Sequence, residues 1–263
     1  MATGVAAALY RAGYRIVLVE TARPRALRQT VAFATAVYSN SISIENIEAR
    51  LCAAVDLGSC WDDGKIPIVI DEAASIRESL SFPVVVDAIM SKTNAGGTDL
   101  DWAPLVIGLG PGFSAKENCS LVIETQRGHT LGRVYDSGAA APDTGLPGEI
   151  GGVSGDRLIR APGSGKLQPC IEIASLVKKG DPVAHIDGQA ALAQIDGVLR
   201  GMMPSGTIVD KNEKIGDVDP RGRPEFCHLI SDKARQIGLA VLSAIVWHHA
   251  GRPGPLPPSP HRK

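Results

Sequence analysis

"RAPGSGKLQPCIEIASLVKKGDPVAHIDG" runs from residue 160 to 188, and "LAQIDGVLRGMMPSGTIVDKNEKIGDVDP" from 192 to 220. A shift of 32 residues lays the second on the first. Ala161 then falls on Ala193, Gly165 on Gly197, Leu167 on Leu199 and Leu176 on Ile208. Val177 falls on Val209, Lys179 on Lys211, Val183 on Ile215, Ile186 on Val218 and Asp187 on Asp219. Each copy has one plan: a glycine turn, a strand, an apolar pair, a polar turn, then a strand ending in aspartate. Neither copy can bury its apolar positions alone. Interleaved about a pseudo-two-fold axis, the two close a small β-sandwich. An all-β module is therefore expected over 156–222.

The segment "VKKGDPVAHID" (177–187) resembles part of the lipoyl/biotinyl carrier domain, whose two similar halves make a barrel-sandwich hybrid. That resemblance implies a carrier lysine on the hairpin joining the halves. Here the hairpin is "DGQAALAQ" (187–194), which contains no lysine. No covalent lipoyl or biotin is expected, and the module reads as a rigid body or a docking surface.

Upstream, apolar runs alternate with helix-length segments. Residues 2–13 read as a helix stopped by Gly13, "YRIVLVE" (14–20) as a buried strand, and "RPRALRQTVAFATAVY" (23–38) as a second helix with Pro24 in its first turn. "SISIENIEARLC" (41–52) reads as a strand followed by a helical turn. "KIPIVID" (65–71), "FPVVVDAIM" (82–90), "APLVIGLGPGF" (103–113) and "CSLVIET" (119–125) read as further strands. That alternation predicts a partly parallel, Rossmann-like α/β sheet over 1–155, ending in the Gly/Pro-rich stretch 139–155. "SDKARQIGLAVLSAIVWHHA" (231–250) reads as a capped amphipathic helix within a segment, 223–250, that packs on the α/β domain. The Pro-rich end, 251–263, reads as a disordered tail.

Composition narrows the function classes. With 27 Lys+Arg against 28 Asp+Glu the net charge is −1, so no global field draws nucleic acid or an acidic membrane. Aromatic residues are 4%, too few for a base-stacking platform. No apolar run is long enough to cross a bilayer, and Arg11 and Arg15 interrupt the opening where a signal peptide needs its apolar core. The five cysteines (52, 60, 119, 170, 227) are odd in number and have no C-x-x-C spacing. They read as reduced thiols of a cytoplasmic protein with no metal site.

Three stretches carry chemistry. "ATG" (2–4) opens a helix, and Glu20 lies at the following strand end, where a dinucleotide fold places the acid for the ribose. "GLGPGF" (108–113) follows a strand and reads either as an anion loop or as a tight turn, with Gly108, Gly110 and Gly112 able to turn backbone N–H groups toward a phosphate. "ETQRGHTLGR" (124–133) offers Glu124, Arg127, His129 and Arg133; His129 reads as a general base, a ligand or a hydrogen-bonding surface group. No nucleophile–base pair with triad spacing occurs.

Together, "ATGVAAALYRAGYRIVLVETARPRALRQTVAFATAVY", "VVVDAIMSKTN", "APLVIGLGPGF", "VIETQRGHTLGRV", "APDTGLPGEIGG", "IDGVLRG", "KIGDVDPRG" and "SDKARQIG" resemble the YqeB-type accessory proteins of the selenium-dependent molybdenum hydroxylase system. Members of that family usually carry a strand and "G-A-G-D" before the position of Met1, so the resemblance implies a Rossmann-like sheet lacking its first strand. Retained family positions are Gly4, Glu20, Arg28, Asp87, Gly108, Gly110, Gly112, Glu124, Arg127, His129, Gly132, Arg133, Asp219, Arg221 and Asp232. The family's acid and histidine after the glycine loop are Asn118 and Ser120 here, so those roles do not carry over.

What the resemblance implies is a maturation factor for a molybdenum hydroxylase of the xanthine dehydrogenase type. It would bind molybdopterin dinucleotide or another nucleotide through Thr3, Gly4, Glu20, Gly108, Gly110, Gly112, Arg127, Arg133 and Arg221, and hand it to the client enzyme. Self-association into a homo-oligomer stays open. The alternatives are an NAD(P)-dependent oxidoreductase with His129 and Glu124 as candidate catalytic groups, and a non-catalytic scaffold with a decayed nucleotide site.

Overall fold

A computed structural model describes residues 1–145, 148–251, 259 and 261. In chain order the regular elements begin with α1 (Ala2–Arg11), β1 (Leu18–Glu20), α2 (Ala36–Ser39), β2 (Ser41–Ile44), β3 (Ile47–Leu51), α3 (Leu57–Asp62), β4 (Ile66–Ile70) and α4 (Ile76–Ser79). Strands β5 (Val84–Asp87), β6 (Leu105–Leu109), β7 (Ser114–Ala115), β8 (Leu121–Ile123), β9 (Val134–Tyr135) and β10 (Gly138–Ala139) follow. The β-module holds β11 (Leu158–Arg160), β12 (Gly165–Pro169), β13 (Leu176–Val177), β14 (Pro182–Ile186), β15 (Gln189–Leu192), β16 (Gly197–Met202), β17 (Ile208–Val209) and β18 (Lys214–Asp219). The long helix α5 (Asp232–His249) comes last. Apart from Gly251, Ser259 and His261, the tail expected to be disordered lies outside the described residues.

Contacts divide the chain into two compact units, neither continuous in sequence. The first comprises Met1–Val19, Cys52–Thr144 and Ser231–Lys263; the second comprises Glu20–Leu51 and Gly145–Ile230. A linear boundary near 155 is expected from the sequence. The contacts instead group residues 20–51 with the duplicated β-module, and 223–230 with it rather than with α5.

The first unit is α/β with parallel strands. β5, β6 and β8 run parallel, with Asp87 opposite Gly108 and Leu109 opposite Ile123, and β9 closes the edge antiparallel. All five residues of β6 and all three of β8 are buried, the apolar run of a strand covered on both faces. One face packs on α1 and α5 through Val5, Leu9, Ile237, Val241 and Ile245. The other packs on Phe113, Cys119 and Tyr135. The two helices cross at small residues: a Cβ on Gly4 would strike the backbone of Ala234, and one on Gly238 would strike that of Gly4. Gly13, at φ 86, ends α1 in the left-handed conformation that glycine takes freely. Ser231 caps α5, its Oγ accepting from the Ala234 N–H at 3.2 Å.

The second unit realises the repeat. Two four-stranded antiparallel sheets form, ordered β11-β18-β16-β13 and β15-β14-β12-β17. Each takes two strands from each copy, so the halves are interleaved. The superposable residues Leu167 and Leu199, Val177 and Val209, Val183 and Ile215, and Ile186 and Val218 all lie in one core cluster. The turn between β14 and β15 is Asp187-Gly188, with φ 44 and 85, a two-residue hairpin matched to strand twist.

Three local expectations differ from the structure. Of residues 14–20, expected as a buried strand, only Leu18–Glu20 form one, and none of the three is buried, Val19 being 38% exposed. Residues 23–38 form two 3-10 turns (Gln29–Val31 and Phe33–Thr35) and the single turn α2 rather than one helix. Tertiary hydrogen bonds take this segment's polar groups: Leu27 C=O accepts from Met202 N–H at 2.8 Å, Gln29 Nε2 donates to Met202 C=O at 2.7 Å, and Thr30 Oγ1 donates to Cys227 C=O at 2.6 Å. Those bonds are worth more than the helical preference of the sequence. Residues 41–52 form the hairpin β2–β3, because Glu45 and Asn46, at φ 49 and 64, make a two-residue turn. Among the described residues no helix is long and apolar enough to cross a membrane.

Candidate functional site

In open sheets with parallel strands, ligands are bound beyond the carboxyl ends of the strands, where helix N-termini and loops converge. In the first unit β5, β6 and β8 end together at Asp87, at Leu109 with its glycine loop, and at Glu124. Asp87 is buried and organises the loop after β5. Its Oδ1 accepts from Ile89 N–H at 2.9 Å, and its Oδ2 accepts from Thr98 Oγ1 at 2.7 Å. Asn94 closes the same loop from its middle, donating Nδ2 to Thr98 C=O and accepting the Thr98 N–H on Oδ1.

The glycine loop after β6 is shaped by its neighbours in the chain. Gly110 (φ 79) and Gly112 (φ 94) need left-handed backbone. A Cβ on Gly110 would meet the Thr125 side chain, one on Gly112 would lie 2.5 Å from the Thr93 carbonyl carbon, and one on Gly108 would enter the Phe113 ring. The glycines thus let the loop pack against the strand ends on both sides. Asn118 secures the far side, accepting Ser114 N–H at 2.9 Å and donating to Gly112 C=O at 3.0 Å. Burial pushes the nearby Cys119 thiol up to about 12.

After β8 the buried Glu124 carboxylate accepts three backbone N–H groups: Thr125 and Gln126 on Oε1, both at 2.7 Å, and Ala141 on Oε2 at 2.8 Å. The turn 124–133 then docks on the start of α5. Arg127 offers both Nη atoms to the Asp232 carboxylate, at 2.7 and 3.0 Å, and Gly132 packs on Gln236. Lys233 beside them titrates below its ordinary value, through burial first and then the Arg127 charge. His129 and Arg133 stand exposed on this turn.

The structure therefore assembles Gly108, Gly110, Gly112, Glu124, Arg127, His129 and Arg133 at the ends of β6 and β8. Thr3 and Gly4 stand in the first turn of α1, where Gly4 packs on Ala234, two residues from the Asp232 that pairs with Arg127. Glu20 ends β1, accepting the Thr21 N–H at 2.8 Å, and belongs to the second unit. Arg221 also belongs to the second unit, where it donates Nε and Nη2 to Asp219. Asp87, Thr93 and Asn94 complete the strand-end cluster. The sequence signal for them was the acid closing the run "FPVVVD" and the "SKTN" that follows. Among the described residues no cluster of His, Cys, Asp and Glu is placed to hold a metal ion.

No family model matches the chain. It resembles, over 24% of its length, an aspartoacylase family protein of Mesorhizobium loti (21% identity, 22% of that chain, TM-score 0.22). Over 31% it resembles the ectoine utilization protein EutE (DoeB) of Ruegeria pomeroyi in its product-bound form (19% identity, 27% of that chain, TM-score 0.22). Likeness at that level bears on neither fold nor activity. Among curated proteins, the chain is 42% identical over 247 residues to YqeB of Escherichia coli (strain K12), itself described as uncharacterized. The aligned stretch is 94% of this chain and 46% of YqeB, so the chain spans about half the length of the curated relative it matches. The chain is thus similar to YqeB along nearly all of its own length.

Proposed function

We propose that this chain is an accessory factor of a molybdenum hydroxylase, of the xanthine dehydrogenase type, that holds a nucleotide-containing cofactor and passes it to the client enzyme. In this reading the first unit is a Rossmann-like nucleotide domain and the second is a barrel-sandwich-hybrid module, without a carrier lysine, that docks the client. The observation that carries the reading is the convergence of Asp87, the glycine loop and Glu124–Thr125 at the carboxyl ends of three parallel strands. A molybdopterin dinucleotide is polyanionic. Because the chain's own atoms fill the space beside Gly110 and Gly112, the groups that fit its phosphates are side chains on the loops leaving those strands: the exposed Arg133, and Lys92, which is 70% exposed and would exchange its 2.6 Å ion pair with Asp143 for the phosphate. The reading assigns binding and transfer, with no bond-making step. The same close packing favours one rival, a scaffold whose loop holds only itself.

Native mass spectrometry of the full chain, purified from a molybdenum- and selenium-replete host, separates the two. A bound mass equal to a molybdopterin dinucleotide, lost in Arg133→Ala, supports the cofactor reading. Bound NAD(P) with NADH turnover moves the assignment to an oxidoreductase. A ligand-free chain that retains a hydroxylase subunit leaves the scaffold.

A further inference from the structure

In the second unit five cations stand around two buried carboxylates. Arg157 Nη1 donates to Asp217 Oδ2 at 2.9 Å, and Arg221 donates Nε and Nη2 to the two oxygens of Asp219 at 2.9 and 2.6 Å. Those pairs match both negative charges. Arg200, Arg28 and Lys214 remain. The Arg200 side chain is only 8% exposed, and its Nε has no hydrogen-bond partner; Asp219 Oδ2 stands 3.7 Å away. Arg28 donates Nη2 only to neutral carbonyls, Phe226 at 2.8 Å and Leu229 at 3.2 Å, and its buried Nε is likewise unpartnered. The two are neighbours: Met202 N–H bonds Leu27 C=O, and Arg200 lies among the charges acting on Arg28. Burial, and then Arg200, push Arg28 down to about 10, still charged at neutral pH. Burial likewise lowers Lys214; the Asp217 charge opposes this, and Arg157, Arg160 and Arg200 add to it. Positive charge in excess of its counter-ions, away from water, is costly unless an anion joins it.

The repeat shows that the sandwich itself does not require this charge. Residues 168 and 185 of the first copy correspond to 200 and 217 of the second. In the first copy they are Gln168 and His185, directly paired across β12 and β14. In the second, Asp217 pairs instead with Gly201, and the register shifts between Leu199 and Gly201, so Arg200 sits on a β-bulge. Bulges re-aim a side chain and recur at functional sites. The duplicated ladder is thus broken at the residue that carries the unmatched guanidinium.

We propose that Arg200 and Arg28, edged by Lys214 and Arg221, form a binding site for a phosphate-type oxyanion within the second unit. The Arg221 side chain, paired with Asp219, is 41% exposed, so this edge of the cluster faces solvent. A doubly charged phosphate answers the excess better than a single carboxylate, and the planar forks of two arginines suit its oxygens. The site does not depend on the cofactor reading of the first unit.

The test is calorimetric titration of the full chain with inorganic phosphate, with pyrophosphate and with ADP, each against potassium chloride of equal ionic strength. Saturable binding that chloride does not reproduce is expected. Arg200→Met should weaken it by about tenfold or more and leave the phosphate-free melting temperature equal or higher, because it removes an unmatched buried charge. Arg200→Lys, which keeps the charge but loses the fork, should bind with intermediate strength. Arg15→Met, which removes a charge from an exposed pair with Asp62, should bind as the parent does. Equal affinity for phosphate and ADP identifies the free ion as the ligand; tighter ADP binding identifies the phosphate of a larger molecule. Binding no better than chloride, undiminished binding in Arg200→Met, or a lower phosphate-free melting temperature in that variant would each overturn the proposal. ADP binding lost in Arg133→Ala but kept in Arg200→Met would overturn it while leaving the cofactor reading intact.

Discussion

Glu124 shows how a single side chain sets the strand-end cluster. Its carboxylate is buried with three backbone N–H groups on it, so it ties β8, the turn after it and the chain at Ala141 into one piece. Glu124→Gln replaces one accepting oxygen by a donor facing N–H groups, and urea denaturation should show a loss of about 1–3 kcal/mol. Asp219 makes a pH-dependent contribution. Burial, the largest single influence, would raise its pKa, but the side-chain and backbone hydrogen bonds from Arg221 and the charges of Arg221 and Arg200 together hold it below the ordinary carboxylate value. A carboxylate depressed in the folded state stabilises above its unfolded pKa and loses that contribution as pH falls through the folded value. Denaturation curves from pH 6 down to about pH 2 should therefore show a shallower acid decline in Asp219→Asn than in the parent. Among the thiols, Cys119 is buried and held protonated, whereas Cys170 is exposed. Peptide mapping after brief alkylation at pH 8 should find Cys170 modified and Cys119 intact, since the thiolate is the reacting form. The strand-end glycines were legible in the sequence as a loop. What they face was only partly so: Phe113 closes the same stretch, but Thr93 and Thr125 arrive from the loops after the two neighbouring strands.

At the scale of elements, helices with a clean apolar period and a cap were legible, and α1 and α5 fall close to where the spacing predicts. Their crossing was not. It depends on Gly4 and Gly238 meeting without side chains across more than 200 residues of chain. Gly238→Val forces two backbones apart, and chemical denaturation should show a loss of about 1–3 kcal/mol or more, as overpacked contacts do. Residues 23–38 mark the opposite limit. Their composition suits a helix, yet the carbonyl of Leu27 and the side chains of Gln29 and Thr30 are claimed by Met202 and Cys227. Partners 173 and 197 residues away leave no periodic trace in the segment itself. The bulge at Arg200 is intermediate: the mismatch of Gln168 with Arg200 is visible in the repeat, but its meaning needs the register of β16 against β18.

At the scale of the molecule, two interleavings define the chain. One is the exchange of strands between the repeat halves; the other is the exchange of segments between the two units. The second predicts that a fragment of residues 156–222 lacks part of its own body, since Leu27 packs on its core, Leu27 C=O accepts from Met202 N–H and Gln29 donates to Met202 C=O. Its amide NMR spectrum should be poorly dispersed, and adding a peptide of residues 20–51 should sharpen it. A well-dispersed spectrum from 156–222 alone would refute the point. The sequence by itself determined the duplicated β-module, the presence of an α/β unit with parallel strands and the position of α5, because each rests on a periodic pattern that burial imposes on neighbouring residues. Only the tertiary structure decided which segments make each unit, that Gly4 packs a helix crossing, and that Arg28, Arg200 and Arg221 gather around the buried Asp217 and Asp219. Charge and close contact act through space, and residues that meet at one point carry no mark of that meeting in their order along the chain.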